Sequence, residues 1–175
     1  MKQIDLRTAY ARLGMHPGDM GPQEAQVIFE QATARGGGVF VEVSPGPGRA
    51  TAILGIAARN IGAKLYVVDA VVIKNPAEAR WFNLAVTLHQ LQGVVRQVEP
   101  SAAKEILNGG GVDLLLLNGE CDISNLPLKD DCAIILRGGT GLPIPAECVL
   151  DHRPAISVWR KTLSSSAERV LSVVK

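Results

Sequence analysis

At 175 residues the chain is one domain by size and long enough to bury a continuous core. A 47% hydrophobic share with 20% charged residues is that of a soluble globular protein, and only 4% aromatics assigns the core to Val, Ile, Leu and Ala. The formal net charge of +1 gives no electrostatic case for nucleic acid or an anionic membrane as the main partner.

Asp5 and Arg7 interrupt the N-terminal stretch, which has no apolar run of signal-peptide length, and no run elsewhere approaches the ~20 residues of a membrane helix. A cytoplasmic protein is therefore expected. Cys121, Cys132 and Cys148 cannot all pair internally and match no zinc spacing, so the expectation is reduced, partly buried thiols and no metal site.

Along the chain, short aliphatic runs alternate with helical patterns, the signature of β-α-β units on a parallel sheet. Residues 1–21 read as an N-terminal extension. Pro22 suits a first helical turn, with Ala25, Ile28, Phe29 and Ala32 on one face and Gly36, Gly37 and Gly38 as the stop. VFVEV at 39–43 predicts the first strand. Ala50, Ile53, Leu54, Ala57 and Ala58 make the stripe of the next helix, which ends near Gly62. KLYVV at 64–68 is the second strand. Asn75, Pro76 and Glu78 have the order of N-cap, first turn and reciprocal cap partner, followed by Trp81, Phe82, Ala85 and Leu88 at helical spacing.

Residues 94–98 predict a third strand, and Ser101 is placed to cap a short helix through Leu107, before the Gly109-Gly110-Gly111 turn. The unbroken run at 112–117 suits a fourth strand buried on both faces. Residues 132–136 form a fifth, and 155–159 a late strand with an antiparallel partner at 147–150. Ser165 and Glu168 have capping-box spacing for a last helix within 162–175. The sum is a single α/β domain over 1–175: a Rossmann-like three-layer αβα sandwich, mostly parallel, with an antiparallel C-terminal strand.

The informative constellation is Val41-Glu42-Val43-Ser44-Pro45-Gly46-Pro47-Gly48-Arg49, a strand, a Gly-rich turn and a helix start. Glycines let ligand and backbone approach closely, and a helix N-terminus offers free N–H groups. A dinucleotide fingerprint calls for a third glycine where Thr51 stands. Glu42, just before the turn, suits a ligand with an ammonium group and no pyrophosphate; its plainer reading is an exposed strand residue. Asp69, at the end of the second strand, can accept both ribose hydroxyls, or can simply cap a turn.

These residues resemble the class I S-adenosylmethionine-dependent methyltransferases, over about 20–159. The resemblance is strongest in PQEAQVIFEQATARGGGVFVEVSPGPGRAT, GAKLYVVDA and VDLLLLNGE. It implies S-adenosylmethionine as cofactor, with Glu42, Ser44, Pro45, Gly46 and Gly48 around the methionine part. It implies Asp69 on the ribose, Ala70, Glu99 and Ser101 near the adenine, and Asn118 in a loop over 117–120 that borders the methyl group.

Three positions depart from the family pattern. Ser44 replaces the usual first Gly. Pro100 replaces an adenine-binding Asp, with Glu99 one step earlier. Asn118-Gly119-Glu120-Cys121 replaces an Asp-Gly-Asp-His run, which removes an Asp and His used by related members. Glu120, Asp122 and Arg137 are the titratable groups in position to serve an acceptor. The chain has no room for an inserted substrate domain, so contacts to a small-molecule acceptor fall to the first twenty residues and to 119–131 and 137–148. A homodimer is one way to complete so open a site. The readings left open are an active small-molecule methyltransferase, a catalytically degenerate methyltransferase-like scaffold, and a nicotinamide- or flavin-binding protein.

Overall fold

The computed structural model describes residues 3–14, 16–18, 20–68, 76–107, 110–118, 126–137, 148–153 and 156–161; the side chains of 104–107 and, Val158 apart, of 148–161 lie outside that description. The chain runs α1 (Leu6–Arg12), α2 (Pro22–Thr33), β1 (Val39–Val43), α3 (Arg49–Ile61), β2 (Lys64–Val68), α4 (Pro76–Leu88), β3 (Val95–Val98), α5 (Pro100–Leu107), β4 (Val112–Asn118), β5 (Leu128–Arg137), β6 (Cys148–Arg153) and β7 (Ile156–Lys161).

The sheet order is β3-β2-β1-β4-β5-β7-β6. Five strands, β3 to β5, are mutually parallel. At the end of this parallel body β7 runs antiparallel to β5, and β6 antiparallel to β7 with Leu150 opposite Trp159. From β1 the chain winds outward through β2 to β3, then crosses to β4 on the other side. That reversal falls between β1 and β4, and open α/β sheets bind ligands at the carboxyl ends of the strands at such a point.

Each face of the sheet has its own apolar layer. Phe40, Leu65, Val67, Leu114, Leu116, Ala133 and Ile135 pack with α1, α2, α3 and α4. Val41, Val43, Val68, Leu115, Leu117, Ile134 and Leu136 face the other way, with Ala103 of α5. Helix α3 is buried from Ala50 to Ala58, because it lies on the sheet and under both α2 and α4.

Several expectations need correction. The stretch 1–21, for which no element was expected, holds α1, capped by the Asp5 carboxylate on the Thr8 N–H at 2.7 Å, and buries Ala9, Leu13 and Met20 in the core. Helix α5 starts at Pro100, so Ser101 lies inside its first turn; the Glu99 carbonyl accepts from the amides of Ala102 and Ala103 at 3.0 and 3.1 Å. A proline is pre-set for the first helical position, which moves the boundary back. Leu117 and Asn118 belong to β4 and not to a following loop. On α4, Phe82 and Ala85 are buried while Trp81, Leu84 and Leu88 stay 40–49% exposed, so the buried face is narrower than the apolar spacing implies. Phe29 is only partly buried. Asn75, Gly109 and the helix placed in 162–175 lie outside the described residues. So do Cys121 and the side chain of Cys148, while Cys132 is buried.

His89 follows α4 and is 1% exposed; among the described residues neither ring nitrogen has a hydrogen-bond partner. Burial first, then the charges of Arg12, His16 and Arg59, push its pKa down from 6.5 to about 4. The neutral imidazole is the folded form. Its stabilisation is therefore complete above the unfolded pKa and is lost as pH falls toward the folded one. Between pH 7 and pH 5 the fold should lose about 2 kcal/mol on this account. Urea unfolding at the two pH values checks this: His89→Gln should flatten the slope, and an unchanged slope in that variant would assign it to other groups.

Candidate functional site

Glu42 is fully buried at the carboxyl end of β1. In register it sits between Val67 of β2 and Leu116 of β4, so its side chain is on the face that packs against α2 and α3. The exposed-strand reading of Glu42 is thereby excluded. A buried carboxylate needs compensation, and part of it is a hydrogen bond from the Asn118 carboxamide, Nδ2 to Oε1 at 2.9 Å. Asn118 pairs across β4 and β5 with Arg137, and the Arg137 guanidinium donates from Nη1 to Asn118 Oδ1 at 2.8 Å. Arg137 Nε reaches Glu24 Oε1 at 3.4 Å. Glu24 Oε2 in turn accepts from the Gly21 N–H at 2.9 Å, at the start of α2.

A polar chain therefore crosses the carboxyl edge of the sheet from Glu42 through Asn118 and Arg137 to Glu24. Every link is charge-assisted, and Asn118 is the joint, because one carboxamide must donate on one side and accept on the other. The sequence reading named Glu42, Asn118 and Arg137 separately; it missed Glu24, whose only signal was its capping position three residues after Gly21.

The loop after β1 has the left-handed turns its glycines suggest. Gly46 has φ 55° and Gly48 φ 88°. Ser44 also takes a left-handed φ of 57°, which accounts physically for the glycine usual at that position in the resembling family. Its N–H is fixed on the Val68 carbonyl at 3.2 Å, and the Pro45 carbonyl accepts from the Gly48 N–H at 3.1 Å.

The two loop glycines differ in surroundings. Among the described residues nothing lies within 4 Å of a Cβ built on Gly46, so space opens above the turn on their side. A Cβ on Gly48 meets Phe82 Cα and Cδ2 at 3.1 Å and Ala85 Cβ at 3.5 Å, so this glycine lets α4 seat against the start of α3. Among the described residues no side chain caps the first turn of α3.

The N-terminal segment borders the same loop. Arg49 Nη1 donates to the carbonyls of His16 and Gly18 at 3.2 and 3.0 Å, and its guanidinium lies 5.4 Å from the Tyr10 ring centre. A Cβ on Gly18 comes within 3.7 Å of Pro47. His16 Nε2 donates to the Trp81 carbonyl at 3.0 Å, which ties this segment to α4.

Glu42, Ser44, Pro45, Gly46 and Asn118 thus come together at the ends of β1 and β4. Glu99 and Ser101 are exposed at the end of β3, two strand spacings or about 10 Å from β1. An extended ligand lying across the strand ends can meet both groups. Asp69, Ala70, Glu120 and Asp122 lie outside the described residues. Among the described residues, no three His, Cys, Asp or Glu side chains gather as metal ligands, and no helix is long and apolar enough to cross a membrane.

No protein-family model matches the chain, and no curated protein does. Solved structures do. A methyltransferase from Geobacter sulfurreducens superposes with a TM-score of 0.62 at 12% identity, over 93% of this chain and 91% of that one. The SAH-bound Podospora anserina methyltransferase PaMTH1 gives 0.62 at 11% identity, over 90% and 86%. Cofactor-bound Rv0187 from MTB gives 0.56 at 17% identity over 75% of this chain, which spans 63% of that protein's length. The chain has the fold of the class I S-adenosylmethionine-dependent methyltransferases.

Proposed function

We propose that the chain is an S-adenosylmethionine-dependent methyltransferase acting on a small-molecule acceptor. The observation that carries the reading is the buried Glu42 beside a left-handed, open glycine turn at the point where the strand order reverses. Solved neighbours of this fold hold SAM or SAH, among them the O-methyltransferase TomG from Streptomyces achromogenes, described as involved in Tomaymycin synthesis.

The residues fit such a group. Open space over Gly46 admits a ligand against the backbone, and the first-turn amides of α3, which no described side chain caps, can receive a carboxylate. In this reading Glu42, Ser44, Pro45, Gly46 and Gly48 hold or shape the methionine end. Asp69 takes the ribose hydroxyls, Ala70, Glu99 and Ser101 flank the adenine, and Asn118 holds Glu42 in place. When bound, the cofactor supplies an already activated sulfonium methyl. The protein's task is then to align the acceptor in line with the S–CH₃ bond and keep water out. A hydroxyl acceptor also needs its proton removed; Arg137, held by Glu24 and Asn118, is positioned to orient an acidic or phenolic oxygen.

The test is a calorimetric titration of the whole chain with S-adenosylmethionine and S-adenosylhomocysteine. It is followed by mass-spectrometric detection of methyl transfer to a panel of phenols, catechols and small amines. Micromolar binding lost in Asp69→Ala is expected. Absence of binding to either compound by a folded sample would overturn the reading.

A further inference from the structure

A cavity lies at the other end of α3, away from the glycine turn. It has a volume of 460 Å³ and sits where the start of the chain and α1 meet the ends of α3 and α4. Ten residues of helix separate Arg49 at the turn from Arg59 at this cavity, about 15 Å. The volume is within the range of small-molecule sites.

Its lining is rich in donors. Arg12 and Arg59 bring two guanidiniums, Gln3 and Gln90 two carboxamides, and Thr8 a hydroxyl. Arg59 uses Nη1 on the His89 carbonyl at 2.7 Å, which anchors it and leaves further N–H groups of the fork. Arg12 is exposed on the last turn of α1. His89 also lines the cavity, almost wholly buried, its ring nitrogens without partners among the described residues. The opposing charge is Asp5, whose carboxylate is engaged by the Thr8 amide at the start of α1. Two guanidiniums against one carboxylate leave the lining one positive charge in excess at neutral pH. Gln90 has a left-handed φ of 54°, so the rim holds a strained non-glycine residue.

We infer that this cavity between α1, α3 and α4 binds the carboxylate or phosphate group of a small anionic molecule, gripped by Arg12 and Arg59 with His89 as a hydrogen-bonding neighbour. Planar guanidiniums match such oxyanions with paired N–H donors, and the carboxamides and hydroxyl contact the rest of the molecule. The inference is independent of the methyltransferase reading, since no cofactor residue lines the cavity.

The experiment uses the full chain at pH 7.5 and two probes, inorganic phosphate and succinate, with the imidazole signals of His89 followed by NMR. Saturable movement of those signals is expected with at least one probe, and the affinity should fall about tenfold in Arg12→Gln. Arg12 is exposed, so this variant should fold with an unchanged melting temperature. Saturation by phosphate alone assigns a phosphate ester, by succinate alone a carboxylate, and by both an oxyanion site indifferent to the carrier. No saturable movement with either probe, or the same affinity in Arg12→Gln, overturns the inference.

Discussion

Asn118→Leu is expected to lower the stability of the fold by about 3 kcal/mol and to remove S-adenosylmethionine binding with it. The leucine keeps the branched heavy-atom skeleton, somewhat larger, but has neither the donor that serves Glu42 Oε1 nor the acceptor that serves Arg137. A fully buried carboxylate and a mostly buried guanidinium each lose a charge-assisted hydrogen bond in one substitution. Urea unfolding at pH 7.5 should show a lower midpoint with an unchanged slope. Asn118→Asp separates charge from volume. It retains the acceptor for Arg137 but sets a second carboxylate against Glu42, so one proton must be shared between them. That variant should approach wild-type stability near pH 5 and lose it progressively toward pH 8. A pH-independent Asn118→Asp, or a leucine variant as stable as the wild type, would show that the polar chain does not hold Glu42.

This pairing also explains why the chain departs from the family pattern after β4. Read as a string, Asn118 in place of an Asp suggests a lost functional acid. In the fold the neutral carboxamide is what a buried Glu42 requires, because an Asp there would repel it. The partners are 76 residues apart, and nothing local in either segment states the relation. Arg137 and Glu24 are 113 residues apart and were equally hidden.

By contrast, β1 and β2 were legible residue for residue. Their apolar runs are bounded by the glycine stop before Val39 and by Gly62 before Lys64; β1 is buried on both faces, and in β2 the exposed Lys64 and half-buried Tyr66 alternate with buried Leu65 and Val67, so no helical period competes. β5 is longer than its apolar run because Leu128 pairs with Val112 ahead of a register shift, and the polar residues Lys129, Asp130 and Asp131 that follow within the shift carry no strand pattern. Helix α1, at seven residues, is too short for a stripe; its legible mark was the Asp5–Thr8 capping pair. The exposed Trp81 and Leu88 show the same limit from the other side, since apolar spacing states which residues can share a face but not how much of that face the neighbours cover.

The two loop glycines provide the sharpest separation of folding from binding. Gly48→Ala should cost about 3 kcal/mol: 1–2 for a side chain in the left-handed region, the rest for a Cβ pressed against Phe82. The obstructing atoms at 3.1 Å include the Phe82 Cα, so relief requires α4 itself to move. Gly46→Ala carries the same backbone cost, with φ 55°, but meets nothing within 4 Å among the described residues. Its stability loss should stay near 1 kcal/mol, about 3 °C in melting temperature for a chain of this length. Its new methyl instead projects into the space proposed for the cofactor, where it should weaken S-adenosylhomocysteine by tenfold or more. Calorimetry and thermal unfolding on both variants measure the two effects separately. If Gly46→Ala binds as tightly as the wild type, the open space over that residue is not the ligand's place. If Gly48→Ala unfolds at the wild-type temperature, the contact between the glycine turn and α4 is looser than the 3.1 Å approach implies.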